Sequence, residues 1–218
     1  MDKIKIILIG ESEVGKTCLM TQFIKSKFEN ELIPTIASDK VIKQYEINNK
    51  KLTLELWDTV GQEKYRSVNK IFMKKTQIGL IVYDITNRKS FQNLNYWLET
   101  LKNSNKDSKV IIGILANKSD LFEERVIKTE EGKKFADDNN CFFFETSSKD
   151  HQSIEKVFNI LCTCYLDNLK KKKNDNLKQN ENNNLDDEEV SWRNSHVLDR
   201  KKLSKRKKKC CQNEEMIE

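Results

Sequence analysis

The segment from Gly10 to Thr17 carries the strongest chemical signal in the sequence. It reads Gly-Glu-Ser-Glu-Val-Gly-Lys-Thr, which fits the pattern GxxxxGK[ST], and it lies between an apolar β-branched run and an amphipathic stretch. In such a loop, backbone N–H groups surround phosphate oxygens, the lysine neutralises the outer phosphates and the hydroxyl binds Mg²⁺. We therefore expect a nucleotide phosphate site made by Glu13, Val14, Gly15, Lys16, Thr17 and Cys18.

Glu13 is an unusual residue for a phosphate loop. Its carboxylate and a triphosphate carry charges of the same sign, so they repel each other unless the side chain points to solvent. We expect the solvent-facing orientation, and even in that orientation the charge of Glu13 could weaken binding or slow hydrolysis.

A second group of candidates surrounds the predicted strand end at Asp58. A carboxylate at that position can hold Mg²⁺, as the Walker-B aspartate does. Gly61 can bring a backbone N–H close to a γ-phosphate, and Gln62 can orient an attacking water because its amide both donates and accepts. Upstream, Thr35 can supply a second hydroxyl to Mg²⁺, although an isolated threonine in a loop is more often an ordinary surface residue.

The run Asn117-Lys118-Ser119-Asp120 follows the fifth predicted strand and could select the base. Guanine presents its N1–H and its 2-amino group on one edge, and a carboxylate such as Asp120 can accept both in charge-assisted bonds. Adenine lacks that pair of donors, so it would leave the carboxylate unsatisfied. Ser147, Ser148 and Lys149 follow the last predicted strand, where backbone N–H groups could meet the base oxygen.

The elements that must position these residues alternate along the chain. Short strand patterns predict strands at residues 4–9, 78–83, 110–115 and 141–144, and alternation of apolar and polar residues predicts strands at 41–47 and 52–57. Amphipathic patterns predict helices at residues 16–25, 90–102, 129–138 and 153–169, with Thr129 as an N-cap candidate. This alternation predicts an α/β fold with a mostly parallel sheet, and the hairpin at 41–57 adds one antiparallel edge strand. Ligands of such sheets bind beyond the carboxyl ends of the strands.

Composition divides the chain into two parts. Residues 1–169 contain 26 Lys and Arg against 24 Asp and Glu, whereas residues 170–218 contain 14 against 10. We predict a nucleotide-binding domain at 1–169 and a disordered tail at 170–218, because the tail has too little apolar surface to offset the entropy of ordering.

The sequence also excludes several classes of protein. It shows no membrane span and no signal peptide, and its second residue is Asp2 rather than the glycine that N-myristoylation requires. Its six cysteines form no CxxC motif. We therefore expect reduced thiols in the cytosol.

The five motifs, in this order and at these strand ends, resemble those of the Ras-superfamily small GTPases over residues 3–169. The resemblance implies a P-loop NTPase small G domain, a six-stranded mostly parallel sheet with helices on both faces, and hydrolysis of GTP to GDP and phosphate with Mg²⁺. It implies that Lys16 and Thr17 act on phosphate and Mg²⁺, that Thr35 closes the first switch, and that Asp58, Gly61 and Gln62 form the second. By the same resemblance, the guanine site comprises Phe28, Asn117, Lys118, Asp120, Ser147, Ser148 and Lys149. Read alone, Phe28 would more often be a core residue.

Within the superfamily the chain is most similar to the Rab branch. The segments 52–59, 81–86 and 90–91 and the pair Trp97-Leu98 carry this likeness. The chain departs from the Rab pattern after Thr35-Ile36, at residues 71–76, at Val60 where Rabs have alanine, and at Glu13 where small residues are usual. The effector-facing surface is therefore divergent, and we expect Val60 and Glu13 to crowd the γ-phosphate and slow intrinsic hydrolysis.

The tail resembles a membrane-targeting segment. Residues 200–209 hold eight basic residues in ten, and Cys210 and Cys211 follow as lipidation candidates. Rabs commonly end on such a cysteine pair with two geranylgeranyl groups, but seven further residues, 212–218, follow here and are acidic. Prenylation, S-acylation and trimming before lipidation remain alternatives, beside an unmodified basic tail. The run lacks interleaved aromatic residues, so we expect no nucleic-acid partner.

These observations predict a Rab-type switch that regulates vesicle and membrane trafficking through GTP-dependent recruitment of effectors. The family implies a GEF and a GAP, with a GDP-dissociation inhibitor and a prenyltransferase with its escort as further partners, and the tail implies a membrane surface. We expect the cytosolic face of an endomembrane. The alternative is a GTP-loaded scaffold or signalling GTPase with poor hydrolysis and divergent effectors, which Glu13 and Val60 favour and Gln62 opposes.

Overall fold

The computed structural model describes residues 2–25, 39–59 and 71–182 of the 218 residues. Its sheet has the strand order β2-β3-β1-β4-β5-β6, in which β2 runs antiparallel to β3 and every other neighbouring pair is parallel. The strands are β1 Asp2–Ile9, β2 Asp39–Ile47, β3 Lys50–Asp58, β4 Ile78–Asp84, β5 Ile111–Asn117 and β6 Phe142–Glu145. The predicted fold class, with its single antiparallel edge strand, is confirmed.

Five α-helices are described, together with a 3₁₀ turn at Phe122–Glu124. The helices are α1 Lys16–Lys25, α2 Arg88–Gln92, α3 Leu94–Ser104, α4 Thr129–Asp138 and α5 His151–Asn182.

Two helices differ from the prediction. The helix expected at 90–102 is divided into α2 and α3 at Asn93, which has φ −83° and ψ 0°. The backbone N–H of Asn93 donates to the carbonyls of Lys89 and Phe91. The last helix continues past Leu169 to Asn182, since the added residues include neither Gly nor Pro to end it. An ion pair spans the predicted end of this helix, with Lys170 Nζ 3.3 Å from Asp167 Oδ1.

The start of α4 also differs. Lys128 rather than Thr129 is the N-cap, and the side chain of Glu131 accepts a 3.0 Å hydrogen bond from the Lys128 backbone N–H. The hydroxyl of Thr129 is used elsewhere, since it donates to Glu145 Oε1 at 2.9 Å.

The core consists of two apolar layers, one on each face of the sheet. Alternation along β1 sends Ile4, Ile6 and Leu8 into the layer covered by α1 and α5, and Ile7 and Ile9 into the layer covered by α3. The rings of Phe23 and Phe158 stack in the first layer, with centroids 3.6 Å apart. The helices therefore pack on both faces, as predicted.

Parallel pairing brings the candidate residues to one edge of the sheet. Leu8 lies opposite Asp58, so β1 and β3 end together, and Asp84 lies opposite Asn117, so β4 and β5 end together. Because Ile9 lies opposite Ile81, β4 and β5 extend beyond the end of β1. The chain divides into two units, Met1–Asp175 and Asn176–Glu218, and the sheet belongs to the first. The domain boundary at residue 169 and the disorder of the tail stay predictions. Among the described helices, none is long and apolar enough to cross a bilayer.

Candidate functional site

The phosphate loop connects β1 to α1 and needs glycine at two positions. Gly10 has φ +145°, and a Cβ there would lie 2.2 Å from the carbonyl oxygen of Val82 on β4. Gly15 has φ +96°, and a Cβ there would lie 2.3 Å from Nδ2 of Asn117. Both contacts are shorter than real Cβ atoms make, so the loop holds its shape against β4 and β5 only with glycine. The pattern recognised in the sequence thus has a steric cause in the fold.

Glu13 lies in the same loop with φ +63°, the left-handed region that favours glycine. Its side chain is exposed to solvent. A non-glycine residue in this region costs about 1 kcal/mol of backbone strain. The structure therefore adds a backbone constraint at Glu13 to the electrostatic one noted in the sequence.

Lys16 opens α1 and is only 5% exposed. Its Nζ donates to the carbonyl oxygens of Gly10 at 3.1 Å and Glu11 at 2.6 Å, so the ammonium lies within the curve of the loop. Burial lowers the pKa of Lys16 to about 8, and the carboxylates of Asp58 and Glu11 counteract part of that shift. A buried cation of this kind is suited to bind a phosphate, whose negative charge favours its protonated form.

Thr17 and Asp58, the two described candidates for Mg²⁺, lie in contact. Thr17 Oγ1 donates to Asp58 Oδ2 at 2.5 Å, which joins the start of α1 to the end of β3. Asp58 is buried, at 1% exposure. A carboxylate and a hydroxyl are hard oxygen donors, which Mg²⁺ prefers, and it usually takes one or two protein ligands beside waters and phosphates. The pair fits a magnesium site.

Asn117 connects the phosphate loop to the other loops of the site. Its side chain is fully buried, and Nδ2 donates to the Val14 carbonyl at 2.8 Å and to Ser148 Oγ at 3.4 Å. Its Oδ1 accepts from Thr146 Oγ1 at 3.3 Å. The amide of Asn117 is therefore engaged with the protein itself, and the residue predicted among the guanine-binding set acts here as a link between three loops.

Asp120 lies on the loop after β5 with both carboxylate oxygens bound. Ser147 Oγ donates to Oδ1 at 2.6 Å, and Lys149 Nζ lies 2.8 Å from Oδ2. Burial alone would raise the pKa of Asp120, but the bonds from Lys149 and Ser147 and from its own backbone outweigh it and hold the pKa below its usual value. Asp120 is therefore an ionised acceptor.

Lys118, two residues before Asp120, makes an ion pair that the sequence did not indicate. Its Nζ lies 2.6 Å from Oδ2 of Asp84 at the end of β4, and its backbone has φ +64°. Asp84 is buried and also accepts from the backbone N–H and the hydroxyl of Thr86. A polar residue that ends the apolar strand β4 was the available signal for Asp84, and sequence reasoning missed it.

The structure thus brings together thirteen of the predicted residues at one edge of the sheet. They are Glu13, Val14, Gly15, Lys16, Thr17, Cys18, Asp58, Asn117, Lys118, Asp120, Ser147, Ser148 and Lys149. Six other site candidates lie outside the described residues, as does Val60; the six are Phe28, Thr35, Gly61, Gln62, Cys210 and Cys211.

The hydrogen bonds of the Asn117 side chain lead to a prediction about nucleotide binding when that side chain is removed. Asn117→Ala leaves the Val14 carbonyl without its side-chain donor, and we expect affinity for GDP to fall roughly fivefold to hundredfold, because a lost buried bond costs about 1–3 kcal/mol. Asn105→Ala is the matched control. It removes a buried amide that donates to Met73 and Leu101 at the opposite edge of the sheet, so it lowers thermal stability but leaves affinity unchanged. Equal effects of both variants on affinity, measured by isothermal titration, would refute the link.

Comparisons with known proteins agree with this geometry. The model of the Ras family matches residues 5–166. Mouse "Ras-related protein Rab-17" is 39% identical over 155 residues, which is 71% of this chain and 72% of that protein. Human "Ras-related protein Rab-8B" is 38% identical over 171 residues, 78% of this chain and 82% of that protein. "Ras-related protein RabQ" of Dictyostelium discoideum is 40% identical over 155 residues, 71% of this chain and 76% of that protein.

Family membership establishes the ligands and the reaction: GTP and GDP are bound with Mg²⁺, and GTP is hydrolysed. The relatives' names and the identity over most of the chain also indicate the branch. The chain belongs to the Ras family and is a divergent Rab-type small GTPase, a switch of vesicle trafficking.

Proposed function

We propose that this chain selects guanine through Asp120 and that its γ-phosphate-dependent loops recruit effectors to a membrane. The single observation that carries the proposal is the hydrogen bond from Asn117 to the Val14 carbonyl. This bond joins the phosphate loop to the strand end that precedes Asp120, and so supports one ligand that spans a phosphate site and a base site.

Asp120 supplies the selectivity in this proposal. Its ionised carboxylate, oriented by Ser147 and Lys149, accepts the N1–H and the 2-amino group of guanine together. Lys118, anchored on Asp84, lies on the same loop, where its aliphatic stem can cover one face of the base. Phe28 covers the other face, as the family resemblance implies.

The proposal predicts a change of base preference in Asp120→Asn. The amide replaces one acceptor by a donor, so we expect GDP affinity to fall roughly hundredfold or more, while xanthosine diphosphate, which has a carbonyl in place of the 2-amino group, binds better. Asp107→Asn, an exposed aspartate after α3, makes the same charge change away from the site and serves as the control. Unaltered preference for GDP in Asp120→Asn would exclude the assigned role.

Residues of both switches complete the proposed mechanism. Lys16 binds the outer phosphates, Thr17, Asp58 and Thr35 hold Mg²⁺, and Gln62 orients the attacking water. The metal neutralises charge on the phosphate oxygens when it is bound. Thr35 and the Gly61 N–H contact the γ-phosphate, so both loops are ordered with GTP and released with GDP, and this difference recruits and releases effectors.

We further propose that Glu13 and Val60 slow intrinsic hydrolysis. The Glu13 carboxylate belongs to the loop that surrounds the phosphates, and its charge disfavours the negative charge that gathers there. If hydrolysis is very slow, the chain stays loaded with GTP and works as a scaffold, which is the second candidate function. Gln62, the water-orienting residue, favours the first candidate function, the switch that hydrolyses GTP.

Substitution of Glu13 tests this point. We expect Glu13→Gly and Glu13→Gln to raise the single-turnover rate of GTP hydrolysis several-fold, measured as phosphate release. Lys75→Gly is the matched control, because Lys75 is exposed, has φ +57° and lies away from the phosphate loop. It repeats the backbone change of Glu13→Gly at a site that contacts no phosphate. A rate that is ordinary for Rab proteins in the unaltered chain, and unmoved by Glu13→Gln, would contradict the proposal.

In this proposal the tail targets the protein to a membrane. The basic run at 200–209 is attracted to anionic lipid by roughly 1 kcal/mol per Lys or Arg near the surface, and lipid chains on Cys210 and Cys211 add insertion. The cytosolic face of an endomembrane is the proposed location. The proposed partners are a GEF, a GAP, effectors, a GDP-dissociation inhibitor and a prenyltransferase with its escort.

Intact-mass spectrometry of the protein from native cells tests the anchor. We expect a mass increase that disappears in the double variant Cys210→Ser, Cys211→Ser, together with loss of membrane sedimentation. Cys164→Ser, which removes a half-buried thiol on α5, should leave the mass increase and the membrane sedimentation unchanged. Unmodified Cys210 and Cys211 in native protein would overturn the anchor.

A further inference from the structure

A hydrogen bond connects the phosphate loop to helix α3 through side chains 86 positions apart in the sequence. Nε1 of Trp97, on the first turn of α3, donates to Oε1 of Glu11 at 3.0 Å. Glu11 occupies the second position of the phosphate loop, between Gly10 and the residues that surround the phosphates.

The same residue whose carboxylate is bound by Trp97 also contacts Lys16. The backbone carbonyl of Glu11 accepts from Lys16 Nζ at 2.6 Å. Rotation of Glu11 would therefore move the carbonyl that orients the phosphate-binding ammonium. Gly10, just before it, is already fixed against Val82 by the close approach of the two backbones. A bound carboxylate at Glu11 limits the remaining freedom of this turn.

Trp97 is well placed to restrain the turn, because it is only 1% exposed. Its ring packs at 78° against Tyr96 with centroids 5.3 Å apart, and Leu94 and Leu98 of the same helix are fully buried. A buried indole N–H requires an acceptor, and a bond to a carboxylate is stronger than one to a neutral group. The rigid packing of α3 is thus transmitted to the loop through a charge-assisted bond.

We propose that Trp97 is a positioning residue for nucleotide binding, which holds Glu11 so that the Glu11 carbonyl keeps Lys16 in its phosphate-binding place. Trp97 itself touches no phosphate in this proposal and acts only through Glu11. The proposal deepens the nucleotide-binding function and rests on the phosphate site described above.

The dissociation rate of GDP, labelled with a fluorescent group and chased with excess unlabelled GDP, tests the role. We expect Trp97→Phe, which keeps a ring but loses the N–H, and Glu11→Ala, which loses the acceptor, each to speed dissociation about tenfold. The double variant should be no faster than either single variant, because both changes remove one bond. Glu11→Gln keeps an acceptor oxygen and should restore most of the slow release.

A control separates positioning from packing. Leu98→Ala removes a fully buried side chain one residue along α3, so it lowers the unfolding temperature, but it leaves the Trp97–Glu11 bond in place and should not speed GDP release. A readout independent of release is the indole N–H signal of Trp97 in a ¹⁵N spectrum of the GDP-bound protein. We expect Glu11→Ala to shift that signal and to leave the Trp57 signal unmoved.

Two results would overturn the proposal. The first is a Trp97→Phe protein that is less stable yet releases GDP at the unaltered rate. The second is a double variant whose effect equals the product of the two single effects. Failure of the proposed guanine site is distinguishable from both, because Asp120→Asn would then bind GDP as the unaltered chain does, whatever Trp97→Phe and Glu11→Ala do to the release rate.

Discussion

The side-chain amide of Asn117 is the interaction on which the site depends. It is completely buried, and a buried amide must satisfy both its donors and its acceptor. It does so with Val14 on the phosphate loop and with Thr146 and Ser148 after β6, which fixes two loops to the end of β5. The close approach also explains why Gly15 has no side chain, since a Cβ there would collide with the amide. The phosphate loop and the run that begins at Asn117, about a hundred residues apart in the sequence, therefore form one structural unit.

Charge is distributed around this unit with opposite signs at its two ends. Lys16 is a buried cation whose pKa is lowered to about 8, because desolvation outweighs the nearby carboxylates Asp58 and Glu11. Asp120 is an anion whose pKa is lowered because Lys149 and Ser147 outweigh its partial burial. A guanine nucleotide has the complementary arrangement, with negative phosphates at one end and two N–H donors at the other. The edge of the sheet therefore matches the polarity of such a ligand.

Much of the fold could be predicted because β4 and β5 are continuous apolar runs that are almost wholly buried, and because β2 and β3 alternate apolar and polar residues. Both patterns are easily recognised. The helices were harder. A single amphipathic pattern runs through residues 90–102, yet the helix is interrupted at Asn93, whose φ of −83° and ψ of 0° depart from helical values. Thr129 has a good capping side chain, but its hydroxyl bonds Glu145 on β6 and Lys128 takes the cap position. At Thr129 a tertiary contact thus overrides the local preference.

The sequence by itself determined the chemical groups, since phosphate, metal and base sites each require particular residue types at short spacings: Lys16 with Thr17, and Asn117 with Asp120. Only the tertiary structure decided how those groups are used. It assigned the Asn117 amide to the protein's own loops, paired Lys118 with Asp84, set Glu13 in a left-handed backbone and joined Glu11 to Trp97. The physical reason is that parallel pairing brings strand ends distant in sequence to one edge, and hydrogen bonds across that edge leave no trace in local residue patterns.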